Sequence, residues 1–181
     1  MTIDFKVIDE EKIDGVKSIL PSISSDDRGN IWTSYLKNDL KKLLPDNQEF
    51  KHDKFSQSKK NVLRGIHGDH KSWKLVTCVY GEIFQVVVDL RDNSPTYQSW
   101  VSFDISNKNQ KLVLIPPGCG NAYYVKSDYA VYHYKLAYSG DYIDYKEQFT
   151  YPWNDSRLNI NWPSKEPILS NRDAGVESAK N

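Results

Sequence analysis

No stretch of the sequence approaches the roughly 18 consecutive apolar residues that a membrane-spanning helix needs, so no such span is expected. An excess of either charge is missing too. The 24 Lys and Arg residues balance 24 Asp and Glu, which gives no electrostatic reason to expect nucleic acid or a membrane surface as the main partner. The amino-terminal MTIDFKVIDEEK is acidic and lacks a secretory apolar core, so a cytoplasmic location is expected. Cysteine is scarce: Cys78 and Cys119 are the only two, they fit no zinc spacing, and each follows an apolar, strand-like run. Buried free thiols are expected rather than a disulfide. GxGxxG, a P-loop and GxSxG are all absent, which removes the usual signatures of dinucleotide binding, triphosphate binding and serine hydrolysis.

What remains suits one domain over residues 1–181, with a core at about 48–150 and a carboxy-terminal segment, 151–181, that wraps it. Twelve Tyr, six Phe and five Trp are present. This is strand-favouring composition, and it also suits a sheet whose inner face lines a ligand pocket. One short peripheral helix is expected over Asn38–Leu44, capped by Asn38 and stopped by Pro45. From Val62 to Tyr138 the pattern is β. VLRGIHG ends at a glycine, and KLVTCVY and EIFQVVVDL flank Gly81 as a predicted hairpin. WVSFDI alternates, with Val101, Phe103 and Ile105 on one face. KLVLI runs into the turn PPGCG. In YAVYHYKLAY, Tyr132, Tyr134 and Leu136 share one face and His133 and Lys135 the other. Short strands separated by turn signals predict an all-β sandwich, jelly roll or barrel. The last residues, ESAKN, are expected to fray.

Five places can carry chemistry. Strand alternation sends Leu63, Gly65 and His67 to one face and Arg64 and Ile66 to the other. His67, at a strand end beside glycines, either braces the barrel mouth or serves as a proton acceptor near working pH. Lys74 is either a solvated edge residue or a cation in a pocket. Asn121, after the Pro-Pro-Gly turn, either orients a ligand or bonds its own turn. Tyr134 faces inward and its hydroxyl needs a partner, a backbone carbonyl or a ligand. Arg28 is either a surface charge or, with Arg64, a bidentate grip on a diphosphate.

Together these segments resemble the dTDP-4-dehydrorhamnose 3,5-epimerase family over roughly Asp27 to Asp173. The matching motifs are Asp27-Arg28-Gly29, Val62 to His67, Lys74-Leu75-Val76, Val88 to Trp100, Ile115-Pro-Pro-Gly118, Tyr134-Lys135, Ile160-Asn-Trp-Pro163 and Leu169 to Asp173. The resemblance implies a cupin-type jelly roll with short peripheral helices, a homodimer and catalysis without cofactor. It makes His67 the base, paired with Asp173, and Tyr134 the acid. It sets Lys74 at the substrate keto oxygen, Arg28 and Arg64 at the nucleotide diphosphate, and Ser56 and Asn121 among the substrate contacts. No metal site is implied, because the HxH pair of metal-binding cupins is missing and Asn121 stands where their last His is expected.

The sequence departs from the family at Gly68 and Asp69 after the active His, over His52–Ser58, and at Gly118–Tyr123, where a second His is lost. Gly-Asp after the His, with Asn in the turn, resembles the branch that acts on GDP-linked 4-keto-heptoses for bacterial capsules. The implied function is inversion at C3 and C5 of a GDP- or dTDP-linked 4-keto sugar. A C3-only epimerase, a 3,4-ketoisomerase and a non-catalytic sugar-nucleotide-binding cupin stand as alternatives.

Overall fold

The computed structural model describes residues 2–175, so the expected fraying of ESAKN lies outside the described residues. The chain forms strands β1 (Phe5–Asp9), β2 (Lys17–Pro21), β3 (Ile23–Asp26) and β4 (Gly29–Trp32), then helix α1 (Lys37–Leu40) continued by a 3₁₀ turn (Lys41–Leu43). There follow β5 (Glu49–Lys59), β6 (Leu63–Gly68), β7 (Trp73–Tyr80), β8 (Glu82–Asp89), β9 (Trp100–Ser106), β10 (Leu112–Ile115), β11 (Cys119–Val125), β12 (Tyr129–Tyr138) and β13 (Phe149–Thr150). A six-stranded sheet, β1-β2-β10-β7-β12-β5, faces a five-stranded one, β13-β6-β11-β8-β9. The strand pairs within both sheets are antiparallel. This is the expected all-β jelly roll. Two strands that precede residue 48 belong to the larger sheet.

The inner faces follow from a period of two. Val76 and Cys78 of β7, Ile83 and Val87 of β8, Phe103 and Ile105 of β9, Tyr123 and Val125 of β11, and Ala130 and Tyr132 of β12 form one buried cluster. Val101 packs against it, so the expected face of β9 is the inward one. The outer faces are covered separately. Leu40 and Leu44 of the α1 region pack on Leu75, Leu112 and Leu114, and Leu158 of the carboxy-terminal segment packs on Ile66, Val86 and Val88. That segment wraps the smaller sheet, and Ile168 bridges to Val62. Cys78 and Cys119 are buried free thiols; burial pushes Cys78 up to about 11 and Cys119 up to about 12. Among the described residues no helix is long and apolar enough to cross a membrane.

Three local expectations fail for physical reasons. β7 and β8 are not a hairpin: β7 pairs with β10 and β12, and β8 pairs with β9 and β11. Both strands have a buried inner face, so each seeks partners in its own layer, and Gly81 makes the corner between layers. Its φ is +85°, and a Cβ there would lie 2.1 Å from the Tyr129 carbonyl oxygen. Helix α1 starts at Lys37, and its N-cap is Leu36 in extended conformation, with no side-chain cap bond. Asn38 is therefore inside the helix, which is held by burial of Leu40 rather than by a cap. Finally, β6 does not alternate as a plain strand. Its register against β11 pairs His67 with Asn121 but Arg64 with Tyr123, so β6 carries one extra residue. The bulge falls at Gly65, whose φ is +127°. One inserted residue exchanges the faces, so Arg64 joins His67 on the inner side.

Candidate active site

The apolar filling stops toward one end of the sandwich. There the inner faces supply polar residues around a cavity of about 410 Å³, lined by Ser56, Arg64, His67, Lys74, Asn121, Tyr134 and Asp173 among others. Strand phase explains the gathering. Lys74 continues the inward series of Val76 and Cys78, Asn121 lies between Cys119 and Tyr123, and Tyr134 lies between Tyr132 and Leu136.

His67 comes from the five-stranded sheet, and Lys74 and Tyr134 from the six-stranded one. The His67 Nε2 lies 2.5 Å from Oδ1 of Asp173. A carboxylate only accepts, so Nε2 carries the proton and Nδ1 is left as the acceptor. Asp173 Oδ2 accepts from the Ser170 hydroxyl at 2.9 Å, which fixes the carboxylate, while the imidazole keeps 25% of its side-chain surface open. A donor held by a buried carboxylate favours the imidazolium that forms when Nδ1 takes a proton.

The Lys74 ammonium is buried and sits 3.3 Å from Oδ2 of Asp69, a nearly enclosed pair with side-chain exposures of 6% and 3%. Asp69 also accepts the backbone N–H groups of Lys71 and Ser72. Burial pushes the Asp69 carboxyl up, but Lys74 and these amides outweigh it and hold it below the usual carboxylate range. Asn121 is fixed by its oxygen: Oδ1 accepts from Gln85 Nε2 at 2.6 Å, and Gln85 Oε1 accepts from the Tyr132 hydroxyl at 2.6 Å. Its amide nitrogen has no partner among the described residues and is free to donate into the cavity. Tyr134 packs edge-on against Tyr132, with ring centroids 4.6 Å apart. Burial pushes its phenol well above the ordinary tyrosine value, with neighbouring Tyr123 acting the same way, while nearby Ser56 and Arg64 pull against them. The phenol therefore keeps its proton at neutral pH.

Arg28 is the sequence-predicted site residue that the structure places elsewhere. It follows β3 in a hairpin that joins neither large sheet. Its side chain is 90% exposed and is paired with Asp26 at 2.5 Å.

Sequence reasoning missed the cavity mouth. Tyr142 and Tyr145 reach it from the segment after β12; Tyr142 accepts from Lys54 at 3.1 Å and meets His52 edge-on. Arg172, beside Asp173, donates to the carbonyls of Tyr145 and Gln148, each at 3.0 Å. That irregular segment has no periodicity to reveal it. Asp69 was visible only as a departure, without its role as the Lys74 partner.

A jelly roll with proton-transfer groups on both walls of an internal cavity is the build of an acid–base enzyme for a small substrate. The comparisons with known proteins narrow this. The family model dTDP-4-dehydrorhamnose 3,5-epimerase matches residues 10–181. The chain is 36% identical to the Salmonella typhimurium dTDP-4-dehydrorhamnose 3,5-epimerase over 94% of its own length and 93% of the relative's. It is 34% identical to the Streptomyces niveus dTDP-4-dehydrorhamnose 3-epimerase over 89% and 78%. The crystal structure of Legionella pneumophila dTDP-6-deoxy-D-glucose-3,5-epimerase in complex with dTDP-4-keto-L-rhamnose superposes with a TM-score of 0.87 at 35% identity, covering 95% of this chain and 91% of that one. The chain belongs to the dTDP-4-dehydrorhamnose 3,5-epimerase family and is an isomerase, an epimerase acting on carbohydrates.

Proposed function

We propose that the protein inverts C3 and C5 of a 4-keto sugar nucleotide through enolate intermediates. The observation that carries this is the placement of His67 and Tyr134 on opposite sheets across one cavity, with Lys74 in the same lining. Hydrogens at C3 and C5 are acidic because both flank the C4 ketone, so one stabilising group serves both centres. His67 Nδ1 removes the proton from one face, and Asp173 supports the imidazolium. The Lys74 ammonium, assisted by the Asn121 amide, meets the developing oxyanion. Tyr134 returns a proton to the other face, and opposition of base and acid produces inversion.

The substrate proposed is a GDP-linked 4-keto-heptose for surface polysaccharide, handled by a homodimer. The departures at Gly68, Asp69 and Asn121 support it, because Asp69 pairs with Lys74 and Asn121 supplies the amide at the oxyanion. Arg64 remains at the diphosphate in this reading. Arg28, exposed on its hairpin, serves the nucleotide only across the subunit boundary of the dimer. A C3-only outcome is the second reading, favoured by the 34% identity to a relative named a 3-epimerase.

Incubation with a GDP-linked 4-keto-heptose and with dTDP-linked 4-keto-6-deoxyglucose in heavy water, followed by proton NMR, tests the proposal. Solvent deuterium at C3 and C5 with inversion on the GDP substrate is expected. Deuterium at C3 alone selects the second reading, faster turnover of the dTDP sugar removes the GDP assignment, and no exchange on either probe removes epimerisation.

A further inference from the structure

The inward face of β8 is apolar except at one position. Ile83 and Val87 join the buried cluster, and between them stands Gln85, fully buried. Its register partner on β11 is Tyr123, so Asn121 lies one diagonal step away on the same face. Gln85 Nε2 donates to the Val86 carbonyl at 3.0 Å and to Asn121 Oδ1 at 2.6 Å. Its Oε1 accepts from the Tyr132 hydroxyl at 2.6 Å, and that hydroxyl also lies 3.2 Å from Asn121 Oδ1. Both amide protons and the amide oxygen of Gln85 are therefore used. For packing alone an apolar side chain would serve as well, because a buried amide needs every one of these partners to offset its lost hydration.

One end of this network is backbone, and that end sets its sense. A carbonyl oxygen only accepts, so the Gln85 group beside the Val86 carbonyl is the NH2. An amide NH2 does not accept, so the Asn121 atom that it meets is the oxygen. The Asn121 nitrogen is left on the other side of its carboxamide, in the cavity lining. We propose that Gln85 is a positioning residue that turns the Asn121 carboxamide so that its N–H groups, not its oxygen, meet the enolate oxygen beside the Lys74 ammonium. The inference rests on the epimerase reading, with Asn121 at the oxyanion. When His67 takes the α-proton, the C–H electron pair moves into the enolate and negative charge gathers on the former ketone oxygen. A carboxamide turned one way donates to that charge, and turned the other way it opposes the charge with its own carbonyl dipole. Gln85 touches no reacting atom and acts through Asn121. Since neither amide titrates, the donor it sets is the same at every working pH.

Asn121→Ala sets the scale of the test. In heavy water, with whichever of the two probes the wild type inverts, the saturated rates of solvent exchange and of inversion should fall together. The expected loss is roughly 10- to 100-fold, the worth of one hydrogen bond to a charge. KM should stay within about twofold. Gln85→Glu keeps the shape of the side chain and removes its donor. A carboxylate only accepts, so Asn121 should turn its nitrogen toward residue 85 and its oxygen to the cavity. Burial raises the new carboxyl, so the assay runs at alkaline pH, where it is ionised. Both rates should then fall at least as far as in Asn121→Ala. Adding Asn121→Ala to Gln85→Glu should cost less than about twofold more, because that donor is already lost. Gln85→Met carries the same cycle if Gln85→Glu does not fold, and the cost of Asn121→Ala should shrink in that background too. A Gln85 that merely fills the core would give losses that multiply. An undiminished cost of Asn121→Ala in the Gln85 variant, or wild-type rates in Asn121→Ala alone, overturns the inference while leaving the epimerase reading in place. A wild type that exchanges nothing on either probe overturns both.

Discussion

Replacing Lys74 with Met isolates the cost of holding an ammonium inside this cavity. Asp69, whose side chain is 3% exposed, would lose its counter-charge at 3.3 Å. Breaking one side of a buried pair costs about 3–5 kcal/mol. Asp69 would keep the Lys71 and Ser72 amides at 2.9 and 2.6 Å, so the cost should fall near the lower end, about 3 kcal/mol. Asp69→Asn in the Lys74→Met background removes the stranded charge, and the double variant should be more stable than the sum of the single effects by about 2 kcal/mol. The pH dependence has a definite sign. In the wild type the folded carboxyl of Asp69 is held below its unfolded value, so its contribution is present above about pH 4 and is lost as pH falls through the folded value. Without Lys74 burial still opposes the charge and only the Lys71 and Ser72 groups support it, so the folded carboxyl rises relative to the wild type. The stability gap between variant and wild type therefore narrows as pH drops through the carboxylate range. Urea unfolding at several pH values, with unchanged m-values, measures all three quantities. A cost below about 1 kcal/mol, additivity in the cycle, or a gap that widens on acidification would refute the description of Lys74 and Asp69 as a buried, interdependent pair.

Tyr134→Phe should suppress inversion while sparing solvent exchange at C3, and His67→Asn should abolish exchange at both centres; NMR in heavy water reads both, and wild-type inversion in the first or surviving exchange in the second removes the corresponding role. Asp173→Asn replaces the carboxylate that holds Nε2 at 2.5 Å; kcat should drop roughly 10- to 100-fold, the worth of a hydrogen bond to a charged group, with KM little changed in steady-state assays. Gly81→Ala should destabilise the fold by more than about 2 kcal/mol, since a strained left-handed residue alone costs about 1–3 kcal/mol and its Cβ would also meet the Tyr129 oxygen at 2.1 Å; a thermal melt within error of the wild type would show that the corner relaxes.

Strand periodicity made the inner faces of β9 and β12 legible in the sequence. Tyr132, Tyr134 and Leu136 do share the inward face, while His133 and Lys135 turn outward, where both pair with Asp53. The failures share a cause: a decision made by a partner distant in sequence. β7 and β8 flank a glycine and alternate as a hairpin would, but pairing is decided by which layer each strand joins. The α1 helix is positioned by Leu40 meeting Ile19, Leu75, Leu112 and Leu114, which outweighs the capping tendency of Asn38. Arg28 follows a family motif faithfully and still sits outside the cavity, because a motif records residue type and order but not where its hairpin folds.

The most consequential miss concerns Arg64. Simple alternation turns it away from His67, and only the extra residue in β6 at Gly65 brings both to the cavity. That bulge has a chemical consequence. With Arg64 inside, the inner face of the sandwich holds a permanent positive charge that donates to Ser58 Oγ at 2.9 Å and lines the same cavity as His67 and Tyr134. With Arg64 outside, the cavity would lose that charge, and an anionic group entering it would meet one cation fewer. A one-residue irregularity in the strand that carries His67 thereby decides the electrostatics of the cavity as well as the path of the backbone.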